Sequence, residues 1–324
     1  MLLKPTIIAA IATLAAQTAT ALPLEGDVAP KIVGGQESPA GSFPFLASLQ
    51  SAGRHFCGGS LLNEDTILTA SHCFEKPPPN LQVRAGSNDH GNGGQVSKII
   101  KIKKHPNYDA QTHDYDVAIL KISPPVTGVE FATLAQSGSY PSPGQKRVAG
   151  WGQTTPGQPS GQPGPTKKRQ VEVNSMTRDQ CQQIYRVRNL PVTENMVCAS
   201  APGKDSCFGD SGGALLDAST GVLEGVVSWG LGCADQQFPA VYAAVGRLYD
   251  FISREAGQLP GGPGGDKPAN PGGNQPTNPD DTQPTNPDGN QPTPGGNPPT
   301  NPDNGGNVPF WCSYFPSGWM CFSN

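Results

Sequence analysis

From Phe45 to Leu134 the chain alternates short apolar, β-branched runs with Gly, Asn and Pro breaks. FLASLQ, FCGGSLL, TILTA, LQVRAG, QVSKIIKI and VAILKI are each a few residues long, bounded by turn residues, with no long helical pattern between them. That patterning predicts strands. A second set follows in KRVAGWG, KRQVEVN, MVCAS, GALLD, LEGVVSWG and AVYAAV, so two β units are expected. The stretch VGRLYDFISREAG spaces its apolar residues at helical intervals and predicts a closing helix ahead of Gly257. The fold class is therefore all-β, antiparallel, with one C-terminal helix.

The two ends of the chain depart from this pattern. Residues 1–21 carry Lys4, an apolar stretch from Ile7 to Ala16 and small residues at Ala19 and Ala21. This predicts a secretory signal cut after Ala21, with an apolar stretch too short to span a bilayer. Residues 22–31 form a short leader ending in Lys31, and residues 32–256 hold both strand sets. Over residues 257–309 units such as QPTNPD recur almost without apolar side chains, which predicts a linker reaching on the order of 100 Å. Residues 310–324 are the opposite: Phe310, Trp311, Tyr314, Phe315, Trp319 and Phe322 crowd around Cys312 and Cys321. Aromatics with no core to cover them mark a binding surface. A linker joined to such a tail resembles the layout of secreted microbial proteins that attach to insoluble polysaccharide, and the rival is docking on residues 32–256 or on a protein partner.

Composition narrows the class further. A net charge of −4 with an isoelectric point near 5.7 excludes nucleic acid and anionic membrane as principal partners. Eight cysteines behind an export signal point to disulfides in an oxidising compartment, although sequence alone leaves 105 pairings open. A secreted, extracellular protein is expected.

The chemistry concentrates in Gly203–Gly213, which reads GKDSCFGDSGG. Ser211 there needs a base to accept its proton and donors for the oxyanion that its attack creates. Gly209 allows close approach of backbone N–H groups, so the amides of Gly209 and Ser211 are the candidate oxyanion donors. A base stands upstream: His72 in TASHC, with Asp116 opening the apolar DVAIL. Asp109 and Asp114 are rivals to Asp116 but lie in the preceding loop, and His55, His90, His105 and His113 read as structural or solvated.

TASHC, DVAIL, GDSGG and the IVGG of Ile32–Gly35 together resemble the trypsin branch of the chymotrypsin-fold serine proteases, over Ile32–Ala256. The order His, Asp, Ser separates this pattern from the subtilisin and α/β-hydrolase arrangements. The resemblance implies two Greek-key β-barrels with a catalytic cleft between them. It implies His72 as general base, Asp116 as its orienting partner and Ser211 as nucleophile. It also implies a zymogen: a cut between Lys31 and Ile32 frees an ammonium that pairs with Asp210. The same resemblance pairs Cys57 with Cys73, Cys181 with Cys198 and Cys207 with Cys233, which leaves Cys312 with Cys321.

Specificity follows from the same comparison. Asp205 and Ser206 stand at the base of the expected pocket for Arg or Lys, with Ser228, Trp229, Gly230 and Gly232 on its wall. Ala240, in FPAVY, departs from the usual glycine and adds a methyl to that pocket. The stretch SNDHGNGGQ holds one aspartate and no glutamate, so the calcium loop of vertebrate trypsins is not expected, and neither zinc nor any cofactor is. Thr154–Arg169, ending in Lys167, Lys168 and Arg169, reads as an exposed loop open to self-cleavage. The signal and linker style resembles fungal or other microbial enzymes more than vertebrate ones. A monomer acting on protein or peptide substrates is expected. The rival class is a catalytically silent homologue serving as a binding or inhibitor protein, which the presence of His72, Asp116 and Ser211 opposes. A chymotrypsin- or elastase-like preference is opposed by Asp205.

Overall fold

A computed structural model describes residues 32–159, 161–257 and 259, together with the backbone of residues 311–315 and 318–322. The signal, the leader, the linker apart from Gly257 and Leu259, and the side chains of the tail lie outside the described residues. Strand β1 (Gln36–Glu37) is followed by β2 (Leu46–Ser51), β3 (Arg54–Asn63), β4 (Thr66–Thr69), β5 (Leu81–Ala85), β6 (Gln95–Lys104) and β7 (Ala118–Ser123). The second half contributes β8 (Gly144–Gly150), β9 (Arg169–Met176), β10 (Met196–Ser200), β11 (Ala214–Asp217), β12 (Leu223–Trp229) and β13 (Ala240–Ala244). All twelve apolar runs of the sequence are strands within a residue or two of their expected ends.

The strands close two antiparallel barrels. Six run in the order β2-β3-β4-β7-β6-β5, closed by pairing of β5 with β2. The other six run β9-β10-β13-β12-β11-β8, closed by pairing of β8 with β9 along their whole length. Closure leaves few free edges and gives each barrel its own apolar interior. Leu46, Leu49, Leu61, Ile67, Leu68 and Leu120 fill the first, and Val148, Val171, Val197, Leu215 and Tyr242 fill the second. Strand β1 belongs to neither ring, and it lies antiparallel on β9, with Gln36 opposite Gln170.

Helix α2 (Tyr249–Ala256) is the closing helix, and it contacts β4 and β7 of the first barrel. A second helix, α1 (Arg178–Arg186), was not expected from the pattern of the chain. Thr177 caps it, accepting from the Gln180 amide while the Gln180 side chain accepts from the Thr177 N–H. The signal was present in the order Thr-Arg-Asp-Gln, a capping box. Its apolar stripe is only Cys181, Ile184 and Tyr185, too short for periodicity to reveal.

Three disulfides are as the resemblance implied: Cys57–Cys73, Cys181–Cys198 and Cys207–Cys233. In the tail, β14 (Trp311–Phe315) and β15 (Gly318–Phe322) form a hairpin with Cys312 directly opposite Cys321. The Cys312–Cys321 bridge itself lies outside the described side chains. One expectation is corrected. Lys168 is not exposed: it is 3% accessible and its Nζ donates to the Phe43 carbonyl at 3.0 Å. Arg169 begins β9, paired with Gly150 and Glu37, and Lys167 is paired with Asp89 at 3.2 Å. Peptide bonds locked in a strand do not enter a protease cleft, so the self-cleavage expected after Lys168 and Arg169 is withdrawn.

Candidate active site

His72 opens a single 3₁₀ turn, His72–Phe74, directly after β4, and its neighbour Cys73 is bridged to Cys57 in β3. Asp116 precedes β7, the neighbour of β4 in the first barrel, so two adjacent strands deliver the two side chains to one end of that barrel. The contact is double: Asp116 Oδ1 accepts from the His72 backbone N–H at 2.9 Å, and Oδ2 lies 2.7 Å from His72 Nδ1. The first bond fixes the loop and the second fixes the ring. Burial opposes the charge on both groups. Their attraction outweighs it, holding the imidazole above its ordinary value and the Asp116 carboxyl down to about 2.

Ser228, read from the sequence as pocket wall, also belongs to this cluster: its Oγ donates to Asp116 Oδ2 at 2.5 Å. It comes from β12 of the second barrel, so Asp116 is held from both barrels at once. The rival carboxylates are occupied elsewhere. Asp114 accepts from Thr193 Oγ1 at 2.7 Å and Asn195 Nδ2 at 3.0 Å, tying the loop before Asp116 to the second barrel. Asp109 caps its own turn through Gln111 N–H.

Ser211 lies where the barrels meet. Its carbonyl accepts from Gly58 N–H in β3 at 2.7 Å, and the next amide, Gly212, donates to the Val227 carbonyl beside Ser228 at 2.8 Å. Gly212 has φ +77°, and a Cβ there would strike Thr69 Oγ1 and the Gly58 carbonyl, so only glycine allows this approach. The oxyanion donors can be oriented from their peptide planes. The Phe208 carbonyl accepts from Gln153 N–H at 2.8 Å and the Asp210 carbonyl from Gly213 N–H at 2.8 Å. In a trans peptide the N–H points opposite its C=O, so the amides of Gly209 and Ser211 face away from those partners. Gly209 (φ +98°) turns its own carbonyl to His55 Nε2 at 2.9 Å. His55 in turn meets Ser48 Oγ through Nδ1 at 2.8 Å, and its burial lowers it to about 4. It is a neutral strut under the serine loop.

Asp210 is fully buried, accepting from Gly152 N–H at 2.8 Å and Cys207 N–H at 3.0 Å. Burial still raises its carboxyl to about 6, against those two bonds. The Ile32 side chain is fully buried in the second barrel's core, and the Val33 carbonyl accepts from Asp205 N–H at 3.2 Å. Lys31 lies outside the described residues.

Asp205 is 3% accessible. Its Oδ2 accepts from Ala234 N–H at 2.9 Å, whereas Oδ1 has no partner among the described residues. Burial raises this carboxyl to about 7, ahead of the backbone bonds that lower it. Beside it Ser206 Oγ and Tyr242 OH are 3.3 Å apart, and Cys207–Cys233 links the flanking loops. Ala240 is buried, and its Cα lies 3.6 Å from where a Cβ on Gly230 would stand. Trp229 packs on Tyr185 at 4.8 Å between ring centroids, which backs the same wall. Gly232 has φ +87°. In the loop read against calcium, Asp89 is engaged by Gly91 N–H and Lys167.

His113, taken from the sequence as structural or solvated, lies edge-on to His72 with ring centroids 5.9 Å apart. His72, His113 and Asp116 each offer a ligand atom, all within 4.8 Å of one another, a cluster that spacing along the chain did not reveal.

Two closed antiparallel barrels meeting at a His–Asp pair and a glycine-flanked serine define the chymotrypsin-fold class of serine proteases. The comparisons name the branch. A family model described as Trypsin matches residues 32–252. Trypsin 5G1 of Aedes aegypti is 41% identical over 234 residues, covering 70% of this chain and 85% of that protein. Trypsin delta of Drosophila erecta is 38% identical over 230 residues, covering 70% and 88%. The solved structure of neuropsin, a serine protease expressed in the limbic system of mouse brain, superposes with a TM-score of 0.62 at 30% identity, covering 68% of this chain and 98% of that one. The chain belongs to the trypsin family, and it is a serine endopeptidase.

Proposed function

We propose that this endopeptidase is secreted, made as a zymogen and selective for peptide bonds following Arg or Lys. The buried Oδ1 of Asp205, without a partner among the described residues, carries this reading of the specificity. A buried carboxylate oxygen left without a protein partner is satisfied by a long cationic side chain that reaches it.

In the reaction so read, Ser211 Oγ attacks the scissile carbonyl while His72 Nε2 takes its proton. Asp116 holds the other ring nitrogen and stabilises the imidazolium. The amides of Gly209 and Ser211 receive the oxyanion. His72 then protonates the leaving amine, and water enters by the same route in reverse to release the acyl group. Activation by cleavage between Lys31 and Ile32 is supported by two buried features: the Ile32 side chain in the second core, and an Asp210 carboxyl that burial disfavours until a cation pairs with it. The signal in residues 1–21 supports secretion, and the aromatic tail supports attachment to a polysaccharide.

The test is hydrolysis of matched peptides ending in Arg, Lys, Phe or Ala by protein beginning at Ile32, with Ser211→Ala as control. Selective cleavage after Arg and Lys that vanishes in the control is expected. Cleavage after Phe or Ala would overturn the pocket. Folded protein that cleaves none would favour the silent homologue. Protein retaining residues 22–31 is expected to be nearly inactive until cut. Because the Ala240 methyl takes room that arginine needs more than lysine, Ala240→Gly is expected to raise kcat/KM for Arg relative to Lys, read on the same peptides.

A further inference from the structure

We propose that Gln50 is a positioning residue for hydrolysis: through Ser48 and His55 it fixes the turn of backbone that aims the Gly209 amide at the oxyanion. The proposal rests on the reading of that amide as an oxyanion donor. Ser48 and Gln50 are two apart in β2 and so share one face of the strand, and both residues are fully buried. Gln50 lies opposite Gln82 of β5 on one side and opposite His55 of β3 on the other. The register with β3 shifts there, pairing Leu49 with Cys57 but Gln50 with His55, so Phe56 is left over. A bulge of this kind re-aims a side chain, here the imidazole. The result is one chain of contacts from Gln82 to Gln50 (2.9 Å), Ser48 (3.2 Å), His55 (2.8 Å) and the Gly209 carbonyl (2.9 Å).

The two ends of this chain dictate where its protons sit. A carbonyl only accepts, and burial keeps His55 neutral, so its single ring proton is on Nε2, facing Gly209. Nδ1 is then a lone pair, and Ser48 Oγ donates to it. At the other end Gln50 Nε2 also donates to the His90 carbonyl at 2.6 Å, which fixes the orientation of the amide and leaves Oε1 to accept from Gln82. The second proton on Gln50 Nε2 meets Ser48 Oγ, so the hydroxyl turns its own proton to His55. In the other tautomer, His55 Nε2 would set its lone pair against the Gly209 carbonyl. Both neighbours of Ser48 would then donate to it, leaving its proton without an acceptor between them. Gly209 stands at φ +98°, where its missing Cβ leaves the backbone free to turn. Gln153 N–H secures the peptide before it and His55 the peptide after it, so the amide is aimed before substrate arrives.

Nitrogen NMR of ring-labelled histidine in protein beginning at Ile32 reads the tautomer directly, and His55 is expected to be neutral with its proton on Nε2. A proton on Nδ1 in the parent would overturn the chain of donors before any variant is made. Gln50→Met removes both donors at nearly equal length, and Gln50→Glu keeps the acceptor for Gln82 but takes a proton from Ser48 instead of giving one. In both, kcat for peptide hydrolysis is expected to fall about 10-fold, short of the roughly 10²–10³ that follows outright loss of an oxyanion donor. KM and the affinity of a small amidinium for Asp205 should be unchanged, since neither depends on the transition state. Variants that melt at lower temperature but keep kcat would overturn the role, and so would an equal loss of amidinium binding. A peptidyl trifluoromethyl ketone separates the proposal from the reading beneath it. Ser211 Oγ adds to its carbonyl carbon, the hydroxyl proton passes to His72, and the carbonyl oxygen becomes the anion. The Gly209 amide proton of the parent is expected to move downfield in this adduct, and to move less in Gln50→Met. No movement in the parent would sink Gly209 as an oxyanion donor and the role of Gln50 with it, whereas equal movement in both proteins would sink Gln50 alone.

Discussion

Asp205 and Asp116 are both buried aspartates, yet their surroundings drive them apart. Asp116 has His72 and the Ser228 hydroxyl against it and is held down to about 2, whereas burial raises Asp205, one of whose oxygens has no partner among the described residues, to about 7. The sign of the second shift can be tested. With a folded value above the ordinary value near 4, the native chain holds this proton more tightly than the unfolded chain does, so stability falls as pH rises between about 4 and 7 and is level above. Asp210, raised to about 6, acts in the same direction, so the difference between the parent and Asp205→Asn isolates the contribution of Asp205. Melting curves from pH 4 to 8 are expected to slope less in Asp205→Asn. A small amidinium should raise the melting temperature of the parent strongly above pH 7 and weakly below it, and an equal effect at pH 5 would contradict the assignment. At the other aspartate, Asp116→Asn keeps the size but reverses the hydrogen-bond roles around His72. A loss in kcat on the order of 10⁴ is expected in peptide hydrolysis. These pairings show which part of the site was legible. His72, Asp116 and Ser211 announced themselves through short local motifs. The bond from Ser228 to Asp116 joins residues 112 apart, and nothing near either one signals it.

At the level of elements, strands were readable because each apolar run lies between turn residues and half of every run faces a barrel interior. Helix α1 was not, because its buried stripe is only Cys181 and Tyr185 while its start depends on a single reciprocal cap. That cap makes a small, clean prediction. Thr177→Ala removes the acceptor for Gln180 N–H and is expected to cost about 1 kcal/mol. In a domain of this size that lowers the melting temperature by roughly 2–4 °C. Peptide hydrolysis should be unchanged, because the Cys181–Cys198 bridge keeps the helix against β10. The close meeting of His113 and His72 was equally hidden. Both residues belong to the first barrel's sequence, but their distance depends on a loop tied to the second barrel by Asp114.

For the molecule as a whole, charge separates the parts cleanly. Residues 32–257 carry nineteen Lys and Arg against nineteen Asp and Glu, so the net −4 lies beyond Gly257. Residues 32–257 therefore have no net charge with which to attract substrate of either sign from a distance. Protein ending at Gly257 is expected to hydrolyse soluble peptides as fast as the full chain and to lose retention on chitin or cellulose. Equal retention would remove the tail from that role. A last consequence follows from the bond between Asp205 N–H and the Val33 carbonyl. Under the proposed activation and specificity, the segment that follows the cut before Ile32 and Asp205 itself share one hydrogen bond, so settling either one steadies the other. By reciprocity, a cation lodged on Asp205 helps the new terminus settle by the same factor with which a settled terminus tightens that cation. On the proposed zymogen reading, ligand and maturation are two effectors of one equilibrium, and a tight inhibitor seated on Asp205 is expected to draw even the uncut precursor toward the mature shape.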